Sequence, residues 1–357
     1  MSSRSADATL AGDGTYQSIQ ALRGAAALLV TLFHCASRFD PTEGTFRVGN
    51  AGVDIFFVIS GFVMWTTTVR RPPTPKSFLR NRIVRVVPLY AFFTLALLAG
   101  WAAMPRAFPH MGAPTAQQVL LSLAFVPHYD PDWHIYPLLA QGWTLNFEMF
   151  FYGLFALGLM LPLRRRLAVA AAVLLMLPLL GLWVTEDLMR RAPALVLLNP
   201  LLIEFLAGLT IAHWAQSGWR PSVGLAWASL AAGALALGLL PTPPADDNWM
   251  RLALFGGPAF LLVAGAVGLE IGGRIKLGRL PLLLGASSYS LYLSHTFVLS
   301  LVGKVWPHWA GPLLFTLVAT GASVAAAIAV YLWLERPLLL WLRRSEAPAM
   351  AARLARS

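Results

Sequence analysis

An arginine and a histidine fall within the first apolar stretch of the sequence, residues 19–38, as Arg23 and His34. Their spacing is close to three turns of an α-helix, so both should lie on one face, roughly 16 Å apart along the axis. Ionisable groups are costly inside a membrane, and by default they mark a pathway or a reacting site. An imidazole there can take a proton from a hydroxyl, so the pattern indicates general acid–base chemistry.

Four other ionisable residues, Asp54, Glu148, Glu204 and His295, fall within later apolar stretches. Counted from the predicted helix ends, they lie with His34 in the outer half of the membrane, so we expect one polar cavity in which these groups pair. Asp54 or Glu148 is expected to pair with His34, because a carboxylate would fix its tautomer and stabilise the imidazolium. For Glu204 and His295, a structural hydrogen bond between helices is an equal alternative.

The nucleophile is expected to come from the substrate. No serine or cysteine lies in a recognisable nucleophile elbow, and Ser60-Gly61 is more simply interpreted as a tight helix contact or a bend. Direct attack by an acceptor hydroxyl, with His34 as the base, is therefore simpler than a covalent enzyme intermediate.

A basic stretch that includes Arg80, Arg82 and Arg85 precedes the third apolar segment. Arg82 and Arg85 are three positions apart and share a helix face. Guanidinium groups bind phosphate through a planar fork of donors. With Arg23 just inside the membrane, these residues could bind a phosphorylated cytosolic ligand. The alternative is that they only set the topology and attract anionic lipid.

Membrane helices must position these residues, because the chain is 57% hydrophobic and 12% charged, against about a quarter charged in soluble domains. Apolar runs long enough to cross a bilayer recur along all 357 residues. The sequence predicts an all-α, polytopic bundle of about ten transmembrane helices. Their expected positions are roughly 19–38, 50–69, 86–104, 141–163, 167–184, 199–215, 222–240, 251–270, 281–302 and 311–334.

The distribution of Lys and Arg residues among the connecting segments predicts how the bundle is oriented in the membrane. Most of the 27 Lys and Arg residues fall in alternate connecting segments, as the positive-inside rule requires of cytoplasmic loops. We therefore expect a cytoplasmic N-terminal segment (1–18), a membrane domain (19–340) and a cytoplasmic tail (341–357). The apolar piece 117–126 is too short to cross and should lie in the outer interface or re-enter between helices.

The net charge and the single cysteine limit which partners and ligands we expect. The net charge of +11 is explained by basic cytoplasmic loops, so the expected partner is a lipid bilayer and not nucleic acid. The single cysteine, Cys35, rules out an intrachain disulfide and offers no thiolate cluster, so no metal is expected.

Taken together, these stretches resemble the acyltransferase-3 family of bacterial membrane proteins, in their order and in their membrane placement. The resemblance runs from about residue 17 to about residue 340 and is greatest for the ExoZ-like branch, which decorates exopolysaccharide. The matching pieces are Arg23 with His34, GVDIFFVISGF at 52–62, RIVR at 82–85, WTLNFEMFFY at 143–152, EFLAG at 204–208 and SYSLYLSH at 288–295.

The resemblance implies transfer of an acyl group, usually acetyl, from cytosolic acyl-CoA to a carbohydrate hydroxyl at the outer face of the bacterial inner membrane. Possible acceptors are a polysaccharide or a lipid-linked oligosaccharide, with export machinery as a possible partner. The residues divide by role: His34, Arg23, Asp54 and Glu148 in catalysis; Arg80, Arg82, Arg85 and Arg23 in binding CoA; Glu204, His295, Tyr292 and Trp143 in binding the acceptor.

Three alternatives stay open at this point. Within the enzyme class, the acceptor could be a small lipophilic molecule such as an antibiotic or a glycolipid. A transporter would use the buried charges to line a path, although such proteins often show paired halves with interrupted helices, which this sequence does not show. A non-catalytic subunit of an export complex would need none of the chemistry.

Overall fold

The structure, a computed structural model, describes residues 16–39, 46–69, 72–108, 111–130, 134–244, 246–307 and 309–344. Within these ranges the chain is helical and contains no strand. The helices are α1 (Gln17–Ser37), α2 (Ala51–Val69), α3 (Pro75–Ala103), α4 (Ala116–Leu123), α5 (Gly142–Gly158), α6 (Leu163–Gly181), α7 (Glu186–Met189), α8 (Ala192–Leu197), α9 (Leu202–Gln216), α10 (Val223–Leu239), α11 (Asn248–Ile271), α12 (Arg279–Ala286), α13 (Ser288–Lys304) and α14 (Pro312–Arg343).

The chain is a multi-pass membrane protein. Across the described ranges, six helical segments are long and apolar enough to cross a bilayer, and they are Gln17–Ser37, Arg47–Val69, Pro75–Ala103, Ala192–Gln216, Asn248–Ile271 and Pro312–Arg343. Each of the ten stretches expected from the sequence coincides with helix. Crossing by all ten, and the side of the membrane on which each terminus lies, stay predictions; residues 1–15 and 345–357 lie outside the described part.

Several helix boundaries differ from those expected. The third helix begins at Pro75 and runs through Pro88, so the basic stretch belongs to the helix itself. Thr74 caps this helix by accepting a hydrogen bond from the backbone N–H of Ser77 at 3.2 Å, and proline is well tolerated at the first position. The ninth apolar stretch is divided at Ser287 into α12 and α13. The short piece after residue 115 is α4, eight residues long, as its length predicted.

Helix α1 is central to the positioning of the site. It packs against α2, α12, α13 and α14. The carboxylate of Glu270, at the end of α11, accepts hydrogen bonds of 2.8 Å from the backbone N–H groups of Gln17 and Ser18. The first N–H groups of a helix have no partner within it and carry a partial positive charge, so a carboxylate is stabilising there. This contact holds the end of α1 that carries Arg23.

Helices α2 and α9 make a tight glycine contact. A Cβ at Gly61 would overlap the carbonyl oxygen of Phe205, and one at Gly208 would overlap that of Val58. Small residues allow this close approach of membrane helices. The interpretation of Ser60-Gly61 as a tight helix contact is therefore confirmed.

Gly208→Ala should destabilise the protein by about 1–3 kcal/mol, because the new methyl group meets backbone that cannot move without separating α2 from α9. The measurement is the midpoint of thermal unfolding of the purified protein in detergent. Gly224→Ala in α10 is the matched control, since no atom lies within 4 Å of a Cβ there and alanine favours a helix more than glycine does. Equal midpoints for the two variants would contradict the packing argument.

Candidate functional site

A cavity of about 130 Å³ lies among α1, α2, α3, α5 and α13, with room for several water molecules. Its wall combines apolar side chains of α2 with polar groups from all five helices. The charged and hydroxyl-bearing residues that line it are Arg23, Ser60, Arg82, Arg85, Thr144, Glu148, Tyr152, Ser288, Tyr289 and Tyr292. The sequence places Arg82 and Arg85 on one helix face, and both face this cavity.

Glu148 is held by neutral donors. Ser60 donates its hydroxyl hydrogen to one carboxylate oxygen at 2.8 Å, and Tyr152 donates to the other at 2.7 Å. The two bonds satisfy the carboxylate and fix its direction. Glu148 therefore provides a negative charge on the wall of the cavity without making an ion pair with a particular arginine.

Arg85 is held by a carboxylate from the far end of the chain. It makes an ion pair with Glu335, whose side chain is 1% exposed. Ser290 donates to the second carboxylate oxygen of Glu335 at 2.5 Å. Glu335 closes a π-helical turn of α14, Tyr331–Glu335. A buried carboxylate with both oxygens bonded to α3 and α13 fixes Arg85 in place.

Arg23 and Arg82 make far fewer hydrogen bonds and ion pairs than Arg85 does. Within the described part of the chain, Arg23 makes no hydrogen bond or ion pair, although it lines the cavity. Arg82 donates to Thr67 at 3.4 Å, while its buried Nε has no partner among the described residues. A guanidinium carries five N–H donors, and both of these half-buried side chains leave donors unused. These two cations therefore favour an anionic or carbonyl-rich ligand in the cavity.

His34 and His295 contact each other just beyond the cavity. His34 Nδ1 lies 2.8 Å from the carbonyl oxygen of Val30 and 3.3 Å from His295 Nε2. His295 Nδ1 lies 3.0 Å from the carbonyl oxygen of Leu291. A carbonyl only accepts, so these contacts favour the tautomer of each ring that carries its hydrogen on Nδ1. In that tautomer the His34 hydrogen faces two acceptors, and the lone pair of His34 is on Nε2.

A third polar group surrounds Arg251. Its guanidinium donates to both oxygens of Asp54, at 3.0 and 2.8 Å, and lies over the ring of Trp143 with 5.8 Å to the centroid. Asp54 is completely buried, and Glu204 is 1% exposed. Glu204 approaches Gly256, which belongs to a π-helical turn that follows Arg251. Two buried carboxylates therefore share the neighbourhood of one cation.

The expectation of one shared cavity is wrong, because the predicted residues form three separate groups. Glu148 lines the cavity, His34 and His295 form a pair, and Asp54 and Glu204 lie near Arg251. The expected carboxylate partner of His34 is also wrong: Glu148 bonds to Ser60 and Tyr152, and Asp54 bonds to Arg251. These pairings depend on how each helix is rotated about its axis relative to its neighbours. The position of a residue along its own helix does not predict that rotation.

The other predicted residues divide between the cavity and its surroundings. Tyr292 lines the cavity, and its hydroxyl lies 2.8 Å from that of Thr144. Trp143 contacts Arg251 and does not line the cavity. Arg80 is exposed and also lies off the cavity wall. No group of three potential metal ligands occurs among the described residues.

Sequence reasoning missed Glu335 and the pairing of Arg251. The last predicted helix ended at 334, which left Glu335 outside the membrane domain's apolar stretch, and Arg251 was placed at a helix end. Each of these two residues is a charged residue next to a long apolar stretch, and this position could have indicated that it lies inside the membrane. Both residues border π-helical turns, which change helix direction and often occur at functional sites.

Arg251→Leu should destabilise the protein by about 3–5 kcal/mol, because it leaves the buried carboxylate of Asp54 without its cation. Adding Asp54→Asn should restore part of this loss. Arg220→Leu, at an exposed position, is the control for removing a positive charge. Thermal unfolding in detergent measures all three, and an Arg251 variant as stable as the Arg220 variant would refute the ion-pair argument.

Known proteins that are similar in sequence to this chain indicate one family. The sequence pattern of the acyltransferase domain family (Acyl_transf_3) matches residues 16–332. The exopolysaccharide production protein ExoZ of Rhizobium meliloti (strain 1021) is 41% identical over 331 residues, which are 91% of this chain and 98% of ExoZ. The putative membrane-bound transacylase BcsY of Komagataeibacter xylinus is 32% identical over 164 residues, 43% of this chain and 40% of BcsY.

A third relative is the acyltransferase MdmB of Streptomyces mycarofaciens, 28% identical over 320 residues that cover 79% of this chain and 78% of MdmB. None of the solved structures matches the chain. The family match covers most of the membrane helices, including those that form the cavity and the histidine pair. The chain therefore belongs to the acyltransferase-3 family and is an enzyme that transfers acyl groups.

Proposed function

We propose that this enzyme transfers an acyl group, in the simplest case acetyl, from cytosolic acyl-CoA to a hydroxyl of an exported or cell-surface carbohydrate. The observation that carries the proposal is the pair of guanidinium groups with unused donors, Arg23 and Arg82, at a cavity between five helices. That cavity ends one helical turn of α13 from the pair of His34 and His295, and the Val30 carbonyl favours the His34 tautomer with its lone pair on Nε2.

Positively charged side chains of the cavity bind the acyl-CoA donor. The described side chains that line the cavity carry three positive charges, from Arg23, Arg82 and Arg85, and one negative charge, from Glu148; Glu335 behind Arg85 adds a second negative charge. The site thus has a positive excess that suits an anion. CoA carries phosphates, which bind guanidinium groups well. Arg82 and Arg85 contact these phosphates, and Arg23 contacts a phosphate or a carbonyl of the arm.

The acyl end of the donor reaches His34 past Tyr292. Tyr292 lines the cavity, and its ring centroid lies 6.3 Å from that of His295. His34 itself does not line the cavity. The hydroxyl of Tyr292 is held by Thr144 and by the carbonyl of Gln141 at 2.8 and 3.0 Å. Displacement of this side chain by the pantetheine arm joins the donor cavity to the base.

His34 then acts as general base and general acid in turn. Its Nε2 takes the hydrogen of the acceptor hydroxyl as that oxygen attacks the thioester carbonyl carbon. The tetrahedral intermediate collapses, the carbon–sulfur bond breaks, and His34 returns the proton to the departing thiolate. The products are the ester and free CoA thiol. No covalent enzyme intermediate is required.

The carbohydrate acceptor is supported by the relatives. ExoZ is named for exopolysaccharide production and is 41% identical across nearly its whole length. A polymer or its lipid-linked precursor is therefore the acceptor we favour, at the outer face of the inner membrane, with export machinery as a possible partner. This arrangement uses the ten-helix topology with both termini in the cytoplasm and residues 19–340 as the membrane domain.

His34→Ala should lower transfer by about 10²–10⁴-fold, the usual contribution of a general base. The assay uses purified full-length protein in lipid nanodiscs, radiolabelled acetyl-CoA and exopolysaccharide from cells that lack the protein. His213→Ala, in α9 and away from the cavity, should transfer at the wild-type rate. Full activity of the His34 variant would remove it as the base.

Arg82→Gln should weaken binding of acetyl-CoA by about 10-fold or more, since a hydrogen-bonded charge pair with a phosphate is worth about 1.5–3 kcal/mol. Equilibrium binding of radiolabelled acetyl-CoA to the protein in nanodiscs measures this directly. Arg164→Gln, an exposed arginine at the start of α6, tests for a general effect of charge. Equal affinities in the two variants would contradict donor binding in the cavity.

The acceptor is tested in cells. Polysaccharide from cells with the protein should be heavier by one acyl group per modified residue than polysaccharide from cells without it, and His34→Ala should abolish this difference. A small lipophilic acceptor would leave the polymer unchanged and appear as an acylated lipid extract. Transport of polymer without any acylation would instead favour a transporter or a non-catalytic subunit.

A further inference from the structure

His295 has no ring nitrogen left to bind a substrate. The side chain is completely buried. Its Nδ1 donates to the carbonyl oxygen of Leu291 at 3.0 Å, and its Nε2 is 3.3 Å from His34. A neutral imidazole has one donor and one acceptor nitrogen, so both are used within the protein. The expectation that His295 binds the acceptor is not supported by these contacts.

The opposite placement of the ring hydrogens is unfavourable. If His295 Nε2 carried the hydrogen and donated it to His34, both Nδ1 lone pairs would face carbonyl oxygens, at Val30 and Leu291. Two acceptors at such distances lose their hydrogen bonds in a buried site, which is costly. The two backbone carbonyls therefore fix the direction of the contact: His34 donates and His295 accepts.

The contact joins the base to the helix that forms a wall of the donor cavity. Val30 belongs to α1, so its carbonyl orients the His34 ring only within its own helix. His295 belongs to α13, which also carries Ser288, Tyr289 and Tyr292 on the cavity wall. A ring held from both helices has a defined position relative to the cavity. Such positioning is needed because reacting atoms must lie within hydrogen-bonding reach.

His295 also takes part in accepting the second N–H of the charged base. A base that gains a proton becomes an imidazolium, and its second N–H requires an acceptor. Here that N–H faces the Val30 carbonyl and His295 Nε2, both neutral. Both acceptors stay in place to receive this hydrogen bond when His34 gains its proton.

We propose that His295 is a positioning residue: its Nε2 accepts the Nδ1 hydrogen of His34, ties the ring to α13 and keeps the His34 lone pair on Nε2 for the acceptor hydroxyl. The inference rests on the proposed function for its catalytic meaning, while the hydrogen bond itself can be tested without any turnover.

The kinetic test compares His295→Phe with His295→Gln in the acetyl-CoA and exopolysaccharide assay. Phenylalanine keeps a ring but has no acceptor, so kcat should fall by about 10- to 100-fold, the range expected for losing a hydrogen bond to a charged group, with KM for both substrates unchanged. Glutamine places an oxygen near the position of Nε2 and should restore kcat to within about fivefold of wild type. A raised KM for the polysaccharide with normal kcat, or equal loss in both variants, would overturn the positioning role.

The structural test is independent of activity. In full-length protein labelled with ¹⁵N-histidine, a coupling across the N–H···N bond should join His34 Nδ1 to His295 Nε2, and His34 Nε2 should give the signal of an unprotonated nitrogen. His295→Gln should remove the coupling and leave the other histidine signals in place. A hydrogen on His34 Nε2 would overturn the inference. The coupling seen in a protein without acyl transfer would overturn the proposed function alone.

Discussion

The cost of placing guanidinium groups inside a membrane helix bundle is the constraint on which this structure depends. Arg23, Arg82 and Arg85 converge on one cavity. A charge within the bilayer requires a partner or water, and Glu335 supplies one for Arg85 while Ser290 holds Glu335. Arg23 and Arg82 are left facing the cavity, and this imbalance supports the proposed ligand site, since the charges of a purely structural network would be paired.

Helix α1 connects the two ends of the proposed reaction. Arg23 lies near the end held by Glu270, and His34 lies about three turns further along, in contact with α13. One cation of the proposed donor cavity and the proposed base therefore lie on the same helix. The buried cluster at Arg251 has a different role: it holds Asp54 and so fixes the start of α2, which forms the apolar wall of the cavity.

Features that follow from local spacing or residue size could be predicted from the sequence, and features that depend on the relative rotation of two helices could not. The helical fold, the common face of Arg82 and Arg85, and the tight packing at Gly61 follow from local spacing and residue size. The partner of His34 depends on the rotation of α13 against α1, which no local pattern contains. Arg251 and Glu335 were also missed, since π-helical turns shift the register by which a helix face is counted.

The most direct measurement is a cryo-electron microscopy structure of the full-length protein in nanodiscs with a non-transferable thioether analogue of acetyl-CoA. The account predicts phosphates at Arg82 and Arg85, the arm along Arg23, a displaced Tyr292 side chain and the acyl group within hydrogen-bonding reach of His34 Nε2. An analogue bound outside the cavity, or one whose acyl end stays on the far side of an undisplaced Tyr292, would contradict it.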